Sequence, residues 1–71
     1  MNKEEILGII TDIVDPEDQL TENTVIAECE DIDSLALLNL FLEFRKVKKD
    51  LTITEFSNCK TIKNVINLLL E

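Results

Sequence analysis

Seventy-one residues make one domain, residues 1–71, with no room for a second, and a chain this short buries only about 60% of the surface its unfolded form exposes. An apolar fraction of 45%, with three phenylalanines and no tryptophan or tyrosine, suits a small core of Leu, Ile and Val and argues against disorder. The net charge of −8 disfavours nucleic acid and anionic membrane as partners and steers the chain toward basic protein surfaces.

The charge is unevenly placed. Residues 1–33 hold eleven acids against Lys3 alone, a balance of −10, whereas residues 34–71 hold four acids and six bases, a balance of +2. Cys29 and Cys59 have no CxxC spacing and the chain has no histidine, so a structural zinc site, which needs about four ligands, is excluded on count. Two reduced thiols in a cytoplasmic protein are the plain reading. No signal peptide, transit peptide or long apolar span is visible, which predicts a cytoplasmic protein without stable membrane association. At roughly 0.05–0.15 kcal/mol per residue the stability is on the order of 4–10 kcal/mol.

Asn2 through Val14 reads as the first helix. Asn2 with Glu5 gives a capping-box-like start, and Ile6, Ile9, Ile10 and Ile13 recur at helical spacing as one apolar stripe. Asp15-Pro16 ends it, because the residue before proline is pushed out of the helical region. Residues 15–33 then form a long acidic connection, expected to be pinned to the core by Leu20, Val25, Ile26 and Ile32. An EF-hand starting at Asp15 fails, since its sixth position is Leu20 rather than Gly and its twelfth is Ile26 rather than Glu. The carboxylates read as solvated charge.

The second helix is predicted from Ser34 to about Lys48. Leu35, Leu37, Leu38, Leu40, Phe41, Leu42, Phe44 and Val47 are too many apolar positions for a single stripe, so the helix is central to a bundle and also keeps an apolar patch for a partner. Leu37, Leu40, Phe41 and Phe44 are the core candidates, with Leu35, Leu38 and Leu42 partly exposed. After a polar turn at Lys48-Lys49-Asp50, Leu51 and Ile53 re-enter the core. Thr54 is expected to cap a short segment through about Asn58 around a buried Phe56. Thr61 caps the last helix, in which Ile62, Val65, Ile66, Leu69 and Leu70 keep helical spacing.

Asp31-Ile32-Asp33-Ser34-Leu35 is the stretch around which these elements are arranged. Asp33 is a good N-cap residue, which places Ser34 on the first turn, at the positive end of the helix dipole, where phosphate is favoured. By itself Asp-Ser-Leu also reads as an ordinary helix start. Asp33-Ser34-Leu35 opening the second helix of a small acidic chain resembles the acyl carrier protein family, and the order of elements extends that resemblance over nearly the whole chain. The resemblance implies an all-α four-helix bundle with a long loop between helices 1 and 2 and a short helix 3. It further implies a 4'-phosphopantetheine arm attached to Ser34 through a phosphodiester, with Asp33 and Leu35 flanking the attachment. The implied function is to carry acyl intermediates as thioesters in fatty-acid, polyketide or related biosynthesis, without catalysis by the chain itself. The implied partners are a phosphopantetheinyl transferase, an acyl- or aminoacyl-loading enzyme and a downstream synthase or transferase, which would read a monomer through Asp31, Leu38, Asn39, Leu42, Arg45 and Lys46.

The chain departs from the fatty-acid members of that family in its second helix, which in them usually carries several acids. Here Asn39, Arg45 and Lys46, then Lys48 and Lys49, leave only Glu43 acidic. Either these cations are a solvated helix end suited to the negative pole of the dipole, or the carrier serves different enzymes, since like charges at an interface discriminate against a generic basic docking patch. Ile32 before Asp33, and the run Leu51 to Phe56, which is similar to the corresponding segment of D-alanyl carrier proteins, lean toward a specialised or aminoacyl carrier. A cofactor-free acidic interaction domain explains the charge but not the serine at position 34. An enzyme is disfavoured, because without histidine no base is visible to activate Ser34 as a nucleophile.

Overall fold

Asn2 is the first residue described by the computed structural model, which covers residues 2–71, and its Oδ1 accepts from the N–H of Glu5 at 2.9 Å. That cap starts α1, Lys3–Val14. Ile6 and Ile10 are its fully buried residues, while Ile9 and Ile13 pack at the edge of the core. Asp15 leaves the helix as expected before Pro16, but into the left-handed region (φ 50°, ψ 58°) rather than an extended one, and its N–H still donates to the Thr11 carbonyl. Aspartate is among the few residues with a Cβ that tolerate this conformation.

The connection from α1 to the next helix contains one short 3-10 turn, Ile26–Glu28. Leu20, Ile26 and Ile32 are buried as expected, whereas Val25 is 37% exposed. Val25 anchors the loop through its backbone instead, in an isolated antiparallel pairing with Thr61. Beside that pairing the N–H of Ile26 donates to the Lys60 carbonyl at 2.9 Å, the N–H of Ile62 to the Thr24 carbonyl at 3.1 Å and the N–H of Lys63 to the Glu22 carbonyl at 2.8 Å.

The second helix, α2, is Ser34–Arg45 with Lys46 as its C-cap, shorter than the expected end near Lys48. Beyond it the N–H groups of Val47 and Lys48 both turn back to the Phe44 carbonyl, and the chain bends so that Leu51, 2% exposed, reaches the core while Val47 stays 60% exposed. Leu40, Phe41 and Phe44 are buried, and Leu37 packs against them partly exposed. The third helix, α3, is Ile53–Ser57, and its cap is Thr52 rather than Thr54. Thr52 and Glu55 form a reciprocal capping box, the T-x-x-E arrangement that satisfies two free donors at once. Ile53, expected in the core, is 52% exposed, while Leu51 and Phe56 on either side of it in the chain are the buried residues. Phe56 meets Phe41 and Phe44 with ring centroids 5.9 and 6.4 Å apart at tilted angles, the geometry aromatic pairs favour.

The last helix, α4, is Ile62–Leu70, capped by Thr61 in a box with Asn64. Ile62, Val65 and Ile66 are buried, whereas Leu70 is 48% exposed. Near its end Lys48 Nζ donates to the Leu68 carbonyl at 2.7 Å, one of the acceptors that a helix C-terminus leaves without an internal partner. α1 packs on α2 and α3 on α4. The described residues thus form a small all-α domain of four helices with no strand, and none of these helices is long and apolar enough to cross a membrane.

Candidate functional site

Asp33 is extended (φ −95°, ψ −177°), and its Oδ1 accepts from the N–H of Ala36 at 2.8 Å while its carbonyl accepts from the N–H of Leu37. One side chain therefore satisfies a single first-turn donor of α2. Among the described residues no acceptor faces the N–H of Ser34 or Leu35. Both side chains are exposed, Leu35 at 66%. An exposed hydroxyl thus stands on the first turn of a twelve-residue helix whose open donors and dipole favour an anion. Asp31, expected at a partner surface, is exposed, and its Oδ2 also accepts from the N–H of Glu17 at 3.3 Å, closing the acidic loop on itself.

Two grooves open beside Ser34. One, of about 470 Å³, has Asp33 and Ser34 at its edge and is bordered by Val25, Ala27, Ile32 and Lys60. The other, of about 280 Å³, runs between α2 and α3 over Leu37, Leu38, Ile53 and Phe56. Ile26, Leu37, Ser57 and Cys59 border both. Beneath them the core closes to a void of about 10 Å³ among residues including Ile10, Leu40 and Phe56, at the threshold for a single water. Ala27, Ser57, Cys59 and Lys60 border the grooves without having been selected from the sequence, and Val25, Ile26 and Ile53 border them although the sequence assigns them to the core. Their nearness to Ser34 comes from the packing of α3 and the backbone pairing of residues 60–63 with the loop, and no local motif carries it.

Burial first, and the Glu55 carboxylate second, push the Cys59 thiol up from its ordinary value, and its Sγ lies 3.6 Å from the Glu55 carbonyl. Cys29 and Cys59 are free, partly buried thiols. Further along α2, Leu38 and Leu42 are 46% and 50% exposed, and Asn39, Arg45 and Lys46 are exposed with them. The Arg45 guanidinium lies 5.9 Å from the Phe41 ring centroid, and Lys46 pairs with Glu43 at 3.3 Å in a contact open to solvent. Lys48 is drawn away to α4. Among the described residues no three metal-ligating side chains converge.

Compared with known protein families, curated proteins and solved structures, the chain finds no match.

Proposed function

We propose that the chain is a carrier protein of the acyl-carrier type, with a 4'-phosphopantetheine arm joined through a phosphodiester to Ser34. The observation that carries this reading is the placement of Ser34: exposed on the first turn of α2, capped by Asp33 at 2.8 Å, with the N–H groups of Ser34 and Leu35 left open. A phosphodiester on that hydroxyl lies where the helix supplies donors and positive potential. Lys60, across the wider groove, adds a cation on the same side. On this reading the four helices form the carrier-type bundle, and the chain itself performs no catalysis.

When bound, the arm supplies a terminal thiol on which an acyl or aminoacyl group is held as a thioester, and tethering raises the effective concentration of that group at successive enzymes. The work of the chain is anchoring and recognition. Asp33 fixes the helix start, Leu35 and Leu38 offer apolar contact beside the serine, and the acidic approach of Glu28, Glu30, Asp31 and Asp33 attracts a basic transferase surface. The partners on this reading are a phosphopantetheinyl transferase, a loading enzyme and a downstream synthase or transferase in the cytoplasm. The exposed Arg45 and Lys46 favour a specialised, aminoacyl or D-alanyl carrier over a housekeeping fatty-acid one.

Incubation with coenzyme A and a broad-specificity phosphopantetheinyl transferase is expected to add one arm to the wild-type protein and none to Ser34→Ala, read by intact mass. Modification at Ser57, or no modification by any transferase, refutes the carrier reading and leaves the cofactor-free acidic interaction domain.

A further inference from the structure

The α2 face has a sequence of surface chemistries along its length. At the N-terminal end stand the exposed acids Glu28, Glu30, Asp31 and Asp33. Leu35, Leu38 and Leu42 follow, 66%, 46% and 50% exposed, at the i, i+3, i+7 spacing that places side chains on one face. At the C-terminal end stand Arg45, Lys46 and Lys49, all exposed, beside Val47 at 60%. The acids near that end are Glu43, which pairs with Lys46, and the exposed Asp50.

A helix-end role accounts for only part of this cluster. A favourable dipole contact falls off within the last turn, and Arg45 is the basic residue in the last turn of α2. Lys48, the member of the cluster engaged with a helix carbonyl, serves α4 and not α2. Lys46, the C-cap of α2, pairs with Glu43 in a contact open to solvent, and the exposed Lys49 beyond it adds positive charge that the helix does not require, close in sequence to apolar side chains left in solvent.

We propose that this face docks a protein partner whose apolar socket for Leu38 and Leu42 is flanked by an acidic patch meeting Arg45, Lys46 and Lys49. The partner's basic site lies at the other end, near Ser34, about 17 Å away by the rise of the helix. The inference rests on the carrier reading for its biological role and names the kind of enzyme that carrier serves: one with opposite charges at the two ends of its docking groove. A second copy laid antiparallel would match the same charges, but two chains of net charge −8 repel one another and the pairing would cover Ser34.

The test uses the unmodified protein and two synthetic helical peptides sharing one leucine face. One peptide carries lysines at one end and glutamates at the other; its counterpart carries lysines at both. Amide shifts in NMR titrations are expected at Leu38, Leu42, Arg45, Lys46 and Lys49 with the mixed-charge peptide, which binds more tightly than the all-lysine one. Combined Arg45→Glu, Lys46→Glu and Lys49→Glu substitution should weaken the mixed-charge peptide about tenfold, from the loss of three exposed pairs, and strengthen the all-lysine one. High salt should erase the difference in both proteins. Equal binding of the two peptides, no shifts on α2, or shifts that appear with protein concentration alone would overturn the proposal. Because no arm on Ser34 is needed, this failure is separate from a failure of the mass test.

Discussion

α2 and α4 both begin at an extended residue whose side-chain oxygen caps the helix, Asp33 in one and Thr61 in the other, yet the two first turns meet opposite surroundings. In α4 the N–H of Ile62 donates to the Thr24 carbonyl and that of Lys63 to the Glu22 carbonyl, while Asn64 donates to Thr61 Oγ1 and its own Oδ1 accepts from Thr61 and Lys60. The residue opening that helix, Ile62, is 1% exposed. In α2 the corresponding residue is the exposed Ser34, and its donors and those of Leu35 face no described acceptor. A helix start costs unsatisfied N–H groups, and the protein meets that cost in two ways: with its own loop at α4, and with solvent or a ligand at α2. The difference marks the start of α4 as scaffold and leaves that of α2 open, as the arm proposed on Ser34 requires.

The strongest way to break this comparison is to truncate both opening residues. Ile62→Ala is expected to destabilise by about 2–5 kcal/mol, the range for a buried isoleucine, a large share of the roughly 4–10 kcal/mol available to a chain of this size. Ser34→Ala should stay within about 0.5 kcal/mol. Urea denaturation followed by circular dichroism reads both, and equal losses would abolish the distinction. Hydrogen exchange reads it without mutation: the amides of Ile62 and Lys63 should be protected and those of Ser34 and Leu35 should exchange early.

The caps sharpen it further. Thr61→Ala removes one half of a box built into the loop and should cost toward the upper end of the roughly 0.5–2 kcal/mol typical of caps. Asp33→Ala removes a single exposed bond and should cost about 0.5–1 kcal/mol, with the larger consequence, on the proposed function, falling on arm attachment at Ser34. A thermal melt of each variant, paired with the mass measurement, separates the two effects.

The smallest expected effect concerns Glu22, whose carbonyl holds α4 and whose carboxylate pairs with Lys3 at 2.9 Å. The hydrogen bond and charge of Lys3 hold the Glu22 carboxyl below its ordinary value of 4.5. A depressed carboxylate contributes stability that is fully present above the unfolded value and is lost as pH falls through the lower folded one. The gap in melting temperature between wild type and Glu22→Gln should therefore exist at neutral pH and close well below pH 4.5. The pair is exposed to solvent, so the gap is small and shrinks with salt. A gap that persists in strong acid would mean Glu22 acts through something other than its charge.

How legible each start is in the sequence follows from the range of the forces that make it. Asp33 and Thr61 can be read directly, because a cap is a bond between residues three apart. Thr52 is equally readable: Thr52-Ile-Thr-Glu55 is the box pattern, whereas Thr54, the expected cap, has Ser57 and no acid three residues downstream. Leu40, Phe41, Phe44 and Phe56 follow from helical spacing. The exposure of Val25 and Ile53 does not, since both are apolar and only the packing of Leu51, Phe56 and the loop backbone decides which residues reach the core. Nor does Lys48, which the sequence groups with Arg45 and Lys46 and the fold assigns to Leu68. The serine and its cap are local and legible; the grooves beside it depend on contacts between residues distant in the chain.

The backbone seam joining residues 22–26 to residues 60–63 leads to an expectation about the order of events in folding. Its bonds close loops through about half of the chain, and the entropy of that closure is lost before the seam returns any energy. The cap of α2, by contrast, forms between neighbours and needs no C-terminal residue to be in place. Mutations along the seam should therefore act on the unfolding rate and leave the folding rate nearly unchanged, so that residues far from the serine govern how long the assembled domain persists.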